Sequence, residues 1–349
     1  LGLSQRELQE FAGVDMGNIY HDALWHFAER IRRSSYTWYD LPEQTREAWI
    51  EESMNDAIAG CANVGAFDEA KNRYLLSRMK DTIRRTVWAL TIQVQKGRFT
   101  PSDFEVSFSQ ADHLEAIRFQ LTEEEKMRLR GRIDRVDTCE TDDKVYVKII
   151  DYKSGNTTFS LLNLYHGLQL QLVVYMNAAL ELEAKKHPGK QAVPAGMFYY
   201  HIEDPMVDGS GTESEEEIRQ AVLEELKPNG LVNDDPEIYG AMDTELSGSS
   251  AVIPVALKAD GSLKATSKTA STEEFGTMSD YVKEILGGDV AAAPYELDGR
   301  SGCDYCPYHM VCGFDARIPG FSYRKLEKPD GAEAILAKMR ETQNEEKRQ

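Results

Sequence analysis

The sequence predicts an α/β fold: a mixed β-sheet flanked by helices, with a helical N-terminal part and a Cys-rich C-terminal segment. Three observations predict it. Apolar residues recur at helical spacing through the first hundred residues, as in Ile19, Ala23, Phe27 and Ile31. The period then drops to two: Asp103–Ser109, Glu115–Leu121, Arg130–Asp137 and Val145–Lys153 read as strands. Finally, a helical stretch from about Leu162 to Lys185 precedes another strand, Gly196–Ile202, so the order is helices, several antiparallel strands, helix, strand.

Within the helical part, helices are expected over 15–33, 42–59 and 67–96. Leu76, Met79, Ile83, Val87, Leu90 and Val94 form the core stripe of the longest one. Arg73, Lys80 and Arg84 share another of its faces and read as solvated rather than as a DNA track. The chain divides into the helical part at 1–100, a core at 101–203, an insert at 204–298, the Cys-rich segment at 299–325 and a tail at 326–349. The insert is expected to hold an acidic helix at 214–227, a hairpin around Asp260-Gly261 within 251–269, and a helix at 272–287.

Composition removes several classes of function. With 349 residues, 41% of them apolar, the chain can bury one large core or two ordinary ones. No window approaches the roughly 18 consecutive apolar residues of a membrane helix, and the start shows no signal peptide, so no membrane partner is expected. Five cysteines is an odd count that points away from a disulfide framework and towards a cytoplasmic protein with metal-type cysteines. A net charge of −19 argues against coating nucleic acid by bulk electrostatics, yet it leaves room for a locally basic groove. Acid-rich runs at Glu213–Glu217 and Glu341–Glu346 read as solvated helix faces or tail. The first residue is Leu1 rather than Met, so the chain reads as a fragment of something longer.

The chemistry centres on Gly131–Lys153, two strands joined by a polar turn over Thr138–Lys144. Asp134 lies in the first strand and Asp151 near the end of the second. Strand alternation puts Asp151 and Lys153 on one face and Tyr152 on the other. Two carboxylates and an ammonium group at one sheet edge suit a hard cation such as Mg²⁺ or Mn²⁺ and the hydrolysis of a phosphodiester. An isolated Asp-x-Lys is more often part of a solvated face, so the companions matter. Gln171 and Tyr175 are four apart on the following helix and could orient the lysine, a water or a phosphate. His21 is the upstream side chain that could complete the metal site, whereas His26 on the same helix has nothing to recommend it. Separately, Cys303-x2-Cys306-x5-Cys312 is a thiolate-cluster signature. With His309 it could be a Cys3His zinc site, and with a distant cysteine a [4Fe–4S] site. Cys61 and Cys139 have no helpful flanks.

Taken together, Gly17-x3-His21, the Gly131–Asp137 stretch around Asp134, Asp151-Tyr-Lys153, Gln171-x3-Tyr175 and the cysteine segment resemble the RecB-type nuclease domain of the PD-(D/E)XK superfamily, in the form carried by the AddB family of bacterial helicase–nuclease proteins. The resemblance covers nearly the whole chain and implies a restriction-endonuclease-like core. It implies His21, Asp134, Asp151 and the backbone carbonyl of Tyr152 as divalent-metal ligands, with Lys153 as the catalytic lysine. Gln171 and Tyr175 match the motif that helps hold DNA and that lysine, and Glu105 resembles a recurring family glutamate. Cys303, Cys306 and Cys312 match three of four [4Fe–4S] ligands. The fourth lies upstream of the Gly17–His21 helix in the family, so an absent or incomplete cluster is expected here. The implied activity is exonucleolytic trimming of single-stranded DNA from a duplex end, beside an AddA-type helicase–nuclease partner in double-strand-break repair. Two alternatives remain: an inactive DNA-binding or scaffold module of the same complex, and a freestanding iron–sulfur exonuclease.

Overall fold

The computed structural model describes residues 13–61, 70–107, 118–120, 126–128, 131–209, 211–287, 294–297, 299–304 and 306–346. Three helices open the chain: α1 (Gly13–Arg33), α2 (Glu43–Ala59) and α3 (Ala70–Gln95). Their apolar stripes are buried as the spacing predicts, with Ile19, Ala23 and Phe27 of α1 and Met79, Ile83, Val87 and Leu90 of α3 in one core. Two of the three residues on the basic face of α3 are neutralised within the helical part. Lys80 pairs with Glu51, and Arg84 bonds Glu47 and Asp81 at 2.7 Å each.

A six-stranded sheet follows, built from β1 (Thr100–Ser107), β4 (Arg132–Glu140), β5 (Lys144–Lys153), β6 (Gln191–His201), β7 (Asn229–Asn233) and β8 (Thr269–Ala270), in that spatial order. The short strands β2 (Arg118–Gln120) and β3 (Lys126–Arg128) form their own two-stranded sheet. The rest of the expected Glu115–Leu121 strand lies outside the described residues. β4 and β5 are antiparallel, pairing Arg135 with Ile150 and Thr138 with Val147. Their turn is tighter than the sequence suggests, because Thr141 closes it: its amide donates to the Lys144 carbonyl at 2.9 Å and its hydroxyl accepts from the Lys144 amide at 3.1 Å. Cys139 therefore continues the strand as a buried residue.

β6 is parallel to β5, and the connection between them contains α4 (Leu161–Tyr165) and α5 (Gln171–Lys186). The apolar spacing predicts a single helix over Leu162–Lys185, and the structure corrects this. Gly167 adopts φ +74°, a conformation that ends a helix, and its amide bonds back to the Leu164 carbonyl at 3.0 Å. The apolar period runs straight through this break, which hides it in the sequence. Beyond β6 come α6 (Glu215–Glu225), closed by a Ser214/Glu217 capping box, then β7 and α7 (Pro236–Met242). Gly230 is required where β7 meets β6: a Cβ there would sit 1.9 Å from the Met197 carbonyl oxygen. The expected hairpin around Asp260-Gly261 reduces to two isolated bridges, Ser249 to Ala256 and Leu257 to Leu263.

The chain divides into two compact units. One comprises Leu1–Arg118, Arg128–Phe159 and Gln171–Phe275, and holds the six-stranded sheet and the first three helices. In it, one sheet face carries Tyr146, Ile150, Tyr152, Phe198 and Tyr200 into the core shared with α1–α3, and α5 packs on β5 and β6. The other unit comprises Phe119–Met127, Ser160–Leu170 and Gly276–Gln349. It includes most of α8 (Thr272–Gly287), β9 (Tyr295–Leu297), β10 (Arg300–Ser301), α9 (His309–Cys312), β11 (Arg324–Lys325) and α10 (Gly331–Glu346). There the Tyr281 hydroxyl donates to the Tyr165 carbonyl at 2.8 Å beneath stacked rings, and the His166 ring meets the Glu327 carbonyl oxygen at 2.7 Å. No described helix is long and apolar enough to cross a membrane.

Candidate active site

The site grows from the pairing of β1, β4 and β5. Asp134 is buried on β4, and its Oδ2 accepts the Tyr152 backbone amide at 2.7 Å. That bond ties the carboxylate of one strand to the backbone of its neighbour and fixes its direction. Oδ1 of Asp134 faces His21 Nδ1 of α1 at 3.4 Å. The His21 ring stands edge-on to Tyr152, centroids 6.0 Å apart. Gly17, one turn before His21, lets α1 approach β5 closely: a Cβ there would lie 3.1 Å from Ser154 Oγ.

Asp151, Lys153, Gln171 and Tyr175 form the second half. Lys153 Nζ pairs with Asp151 Oδ2 and donates to Gln171 Oε1 at 3.0 Å. Gln171 Nε2 donates to Asp151 Oδ1 and to the Tyr175 hydroxyl oxygen, 2.9 Å each. The amide is thus a clip, holding the ammonium through its oxygen and the carboxylate through its nitrogen. It stands at the first residue of α5, where the helix meets the ends of the strands.

Two further participants are placed by strand pairing: Glu105, which the family resemblance anticipates, and Tyr199, which it does not. Phe104 pairs with Arg135 and Val106 with Ile133, which places Glu105 across from Asp134. Glu105 also has φ +55°, among the described residues the one non-glycine with positive φ. Such a conformation costs about 1–3 kcal/mol and concentrates at functional sites. Its carboxylate pairs with Arg132. Tyr199 is the other. It pairs in register with Asp151 across the parallel β5–β6 ladder, and the Lys153 ammonium lies 5.3 Å from its ring centroid, a cation–π contact. Nothing local in the sequence signals that register.

The electrostatics report an excess of negative charge. Burial and then the nearby Asp134 charge push Glu105 up to about 7, against the pull of Arg132 and His21. Burial, followed by Asp134, likewise raises Asp151 to about 6, even with Lys153 beside it. His21 is drawn down by burial, but its hydrogen bond to Asp134 and the charges of Asp134, Glu105 and Asp151 outweigh this and leave it raised. His21, Glu105 and Asp134 each offer a ligand atom, and these atoms lie within 4.8 Å of one another. Two carboxylates joined by an imidazole at that spacing are a donor set suited to a hard divalent cation. These residues therefore fit the metal that the sequence implies.

The other motif is less complete. The Cys306 amide bonds the Cys303 carbonyl at 3.3 Å and Cys312 closes α9, but among the described residues these three thiols are not gathered within 4.8 Å as the His21 group is. The His309 side chain lies outside what is described. Cys139 is buried in β4 and Cys61 follows α2, both away from that segment in the chain. His26 stacks at a tilt on Trp25, centroids 4.7 Å apart, and takes no part in the site.

An acidic sheet edge clipped to a lysine by a glutamine is the arrangement of a PD-(D/E)XK nuclease, and the family profile of the PD-(D/E)XK nuclease superfamily matches residues 1–313. The chain belongs to that superfamily. Among its relatives is the B subunit of the ATP-dependent helicase/deoxyribonuclease of Lachnoclostridium phytofermentans, 38% identical over 345 residues, covering 93% of this chain and 29% of that protein. Proteins of the same name from Clostridium kluyveri and Pelotomaculum thermopropionicum are each 33% identical, covering 94% and 97% of this chain and 29% and 30% of theirs. The chain thus spans about three tenths of the length of these curated relatives.

Proposed function

We propose that this chain is the nuclease part of a helicase–nuclease and hydrolyses phosphodiester bonds of single-stranded DNA in a reaction dependent on Mg²⁺ or Mn²⁺. The observation that carries the reading is the charge imbalance: Glu105 and Asp151 are held near neutral pKa values beside Asp134, with the Lys153 ammonium clipped alongside. His21, Asp134 and Asp151 would hold the cation, with Glu105 and the Tyr152 backbone beside them. When bound, a divalent ion acidifies a water from a pKa of about 16 towards about 7 and offsets charge on the phosphoryl oxygens.

The chain's own residues do the rest. Lys153, paired with Asp151 and lying over the face of Tyr199, offers a positive hydrogen-bond donor where negative charge develops on the phosphate. Gln171 fixes the direction of that donor, and Tyr175 fixes Gln171. Asp134, locked by the Tyr152 amide, keeps the imidazole of His21 turned inwards. The relatives are named as subunits of a helicase/deoxyribonuclease, which supports a helicase partner for this chain. By its sequence resemblance the chain would work in the cytoplasm beside an AddA-type helicase on duplex ends, with Cys303, Cys306 and Cys312 as three of four thiolates of a [4Fe–4S] cluster. The test is cleavage of an end-labelled single-stranded oligonucleotide. Cleavage should need added Mg²⁺ or Mn²⁺ and stop with a chelator, and chelator-resistant cleavage would overturn the reading.

A further inference from the structure

The metal site opens on one side into a cleft of about 640 Å³ between α1 and the edge strand β1. Glu105 lines both. From there the cleft follows one face of α1, where Asp22, Trp25, Glu29, Arg32 and Arg33 succeed His21 at helical spacing. At 1.5 Å rise per residue, His21 to Arg33 covers about 18 Å. Its far wall is β1 with Arg132, which pairs across the ladder with Ser107. The acidic groups are largely answered. Glu29 is shared by Arg32 at 2.7 Å and Arg33 at 3.2 Å, leaving that end one positive charge in excess. Asp103 pairs with Lys186 and Glu105 with Arg132, and Asp22 adds one further carboxylate near the site.

We propose that this cleft binds the stretch of single-stranded DNA next to the bond being cut, with one base stacked on Trp25 and its phosphates on Arg32, Arg33 and Arg132. The inference rests on the nuclease reading and adds to it the path of the strand and the residues that hold it. Trp25 is half-buried, one turn beyond His21, so its indole stands at the mouth of the site. A base can lie flat on an indole only when it has left its own stack, which selects a single strand over a duplex. Arg132 links the two regions. Its guanidinium pairs with Glu105 on the site side and would offer its remaining N–H groups to the adjacent phosphate.

The test is fluorescence anisotropy of the chain with a fluorescein-labelled oligothymidylate in EDTA, where nothing turns over and binding is read apart from cleavage. Trp25→Leu, which keeps apolar bulk but removes the π-face, should weaken binding about tenfold, the size of one base–aromatic stack. Trp25→Phe should stay within about threefold of the parent, and Arg33→Ala should lose affinity and flatten the salt dependence. With Mg²⁺ present, Trp25→Leu should raise KM and leave kcat at saturating strand unchanged. Parental affinity in Trp25→Leu, or equal binding of a blunt duplex of the same length, would overturn the proposal.

Discussion

Strands β4 and β5 carry a cluster of buried charges on each face, and the two clusters behave in opposite ways. On one face Arg135, Asp137 and Lys148 sit together, and Asp137 is fully inaccessible. Arg135 grips it with Nε at 2.6 Å and Nη2 at 2.8 Å, and Lys148 adds a contact at 2.7 Å. Arg135 lies over the rings of Trp38 and Phe104, and Lys148 over Phe99. Burial alone would raise the Asp137 pKa, but the two cations more than reverse this and hold it below the usual carboxylate range. On the other face Asp134 and Asp151 point away from that network by strand alternation. There Asp151 is as deeply buried, yet its pKa is raised. The difference is stoichiometry. One carboxylate meets two cations in the first cluster, whereas Glu105, Asp134 and Asp151 meet one lysine, one edge arginine and a histidine in the second. A buried carboxylate answered by two cations is structure, and buried carboxylates that outnumber the lysine and arginine around them are a place for a further cation.

Substitutions separate the two faces sharply. Lys153→Ala or Asp151→Ala should lower strand cleavage by at least about a thousandfold, with circular dichroism and melting close to the parent. Strong Mg²⁺-dependent residual activity in either would erase the distinction. Asp137→Ala should do the reverse: two buried cations lose their counter-ion, costing about 3–5 kcal/mol in denaturant unfolding, while the molecules that remain folded still cleave. Acidity offers a finer probe in metal-free protein. The folded-state pKa values of Glu105 and Asp151 lie above their ordinary values, so the folded chain keeps protons that the unfolded chain releases. Their stabilising contribution is present below about pH 4 and is lost as pH rises towards about 7. Melting in EDTA should therefore fall over that window more steeply for the parent than for Glu105→Gln, and identical slopes would refute the assignment. The smallest effect should come from His26→Ala, within about twofold of parental cleavage; damage equal to that of His21→Ala would put the site on the wrong face of α1.

Much of this is legible in the sequence because it follows short periods. Asp151 and Lys153 share a face by the two-residue repeat of a strand, and Gln171 and Tyr175 by the four-residue repeat of a helix. The α/β class follows from the same change of period, and the superfamily from five motifs in order. Features set by tertiary pairing are not legible. Tyr199 reaches Lys153 only because β6 aligns with β5 in one parallel register, and Glu105 turns at a positive φ that no local pattern announces. Gly167 breaks the helix inside an unbroken apolar period, so its conformation overrides the pattern. Asp137 escapes a reading by residue type because an aspartate in a strand looks solvated until Arg135 and Lys148 are seen around it.

Where a hard cation settles distinguishes the two faces most directly. A crystal soaked in Mn²⁺, with diffraction recorded at the manganese absorption edge, locates the ion without assumption. The predicted result is an anomalous peak within about 2.0–2.6 Å of His21 and the carboxylate oxygens around Asp134 on the β4–β5 face. A peak beside Asp137, or manganese bound only at surface carboxylates, would contradict it.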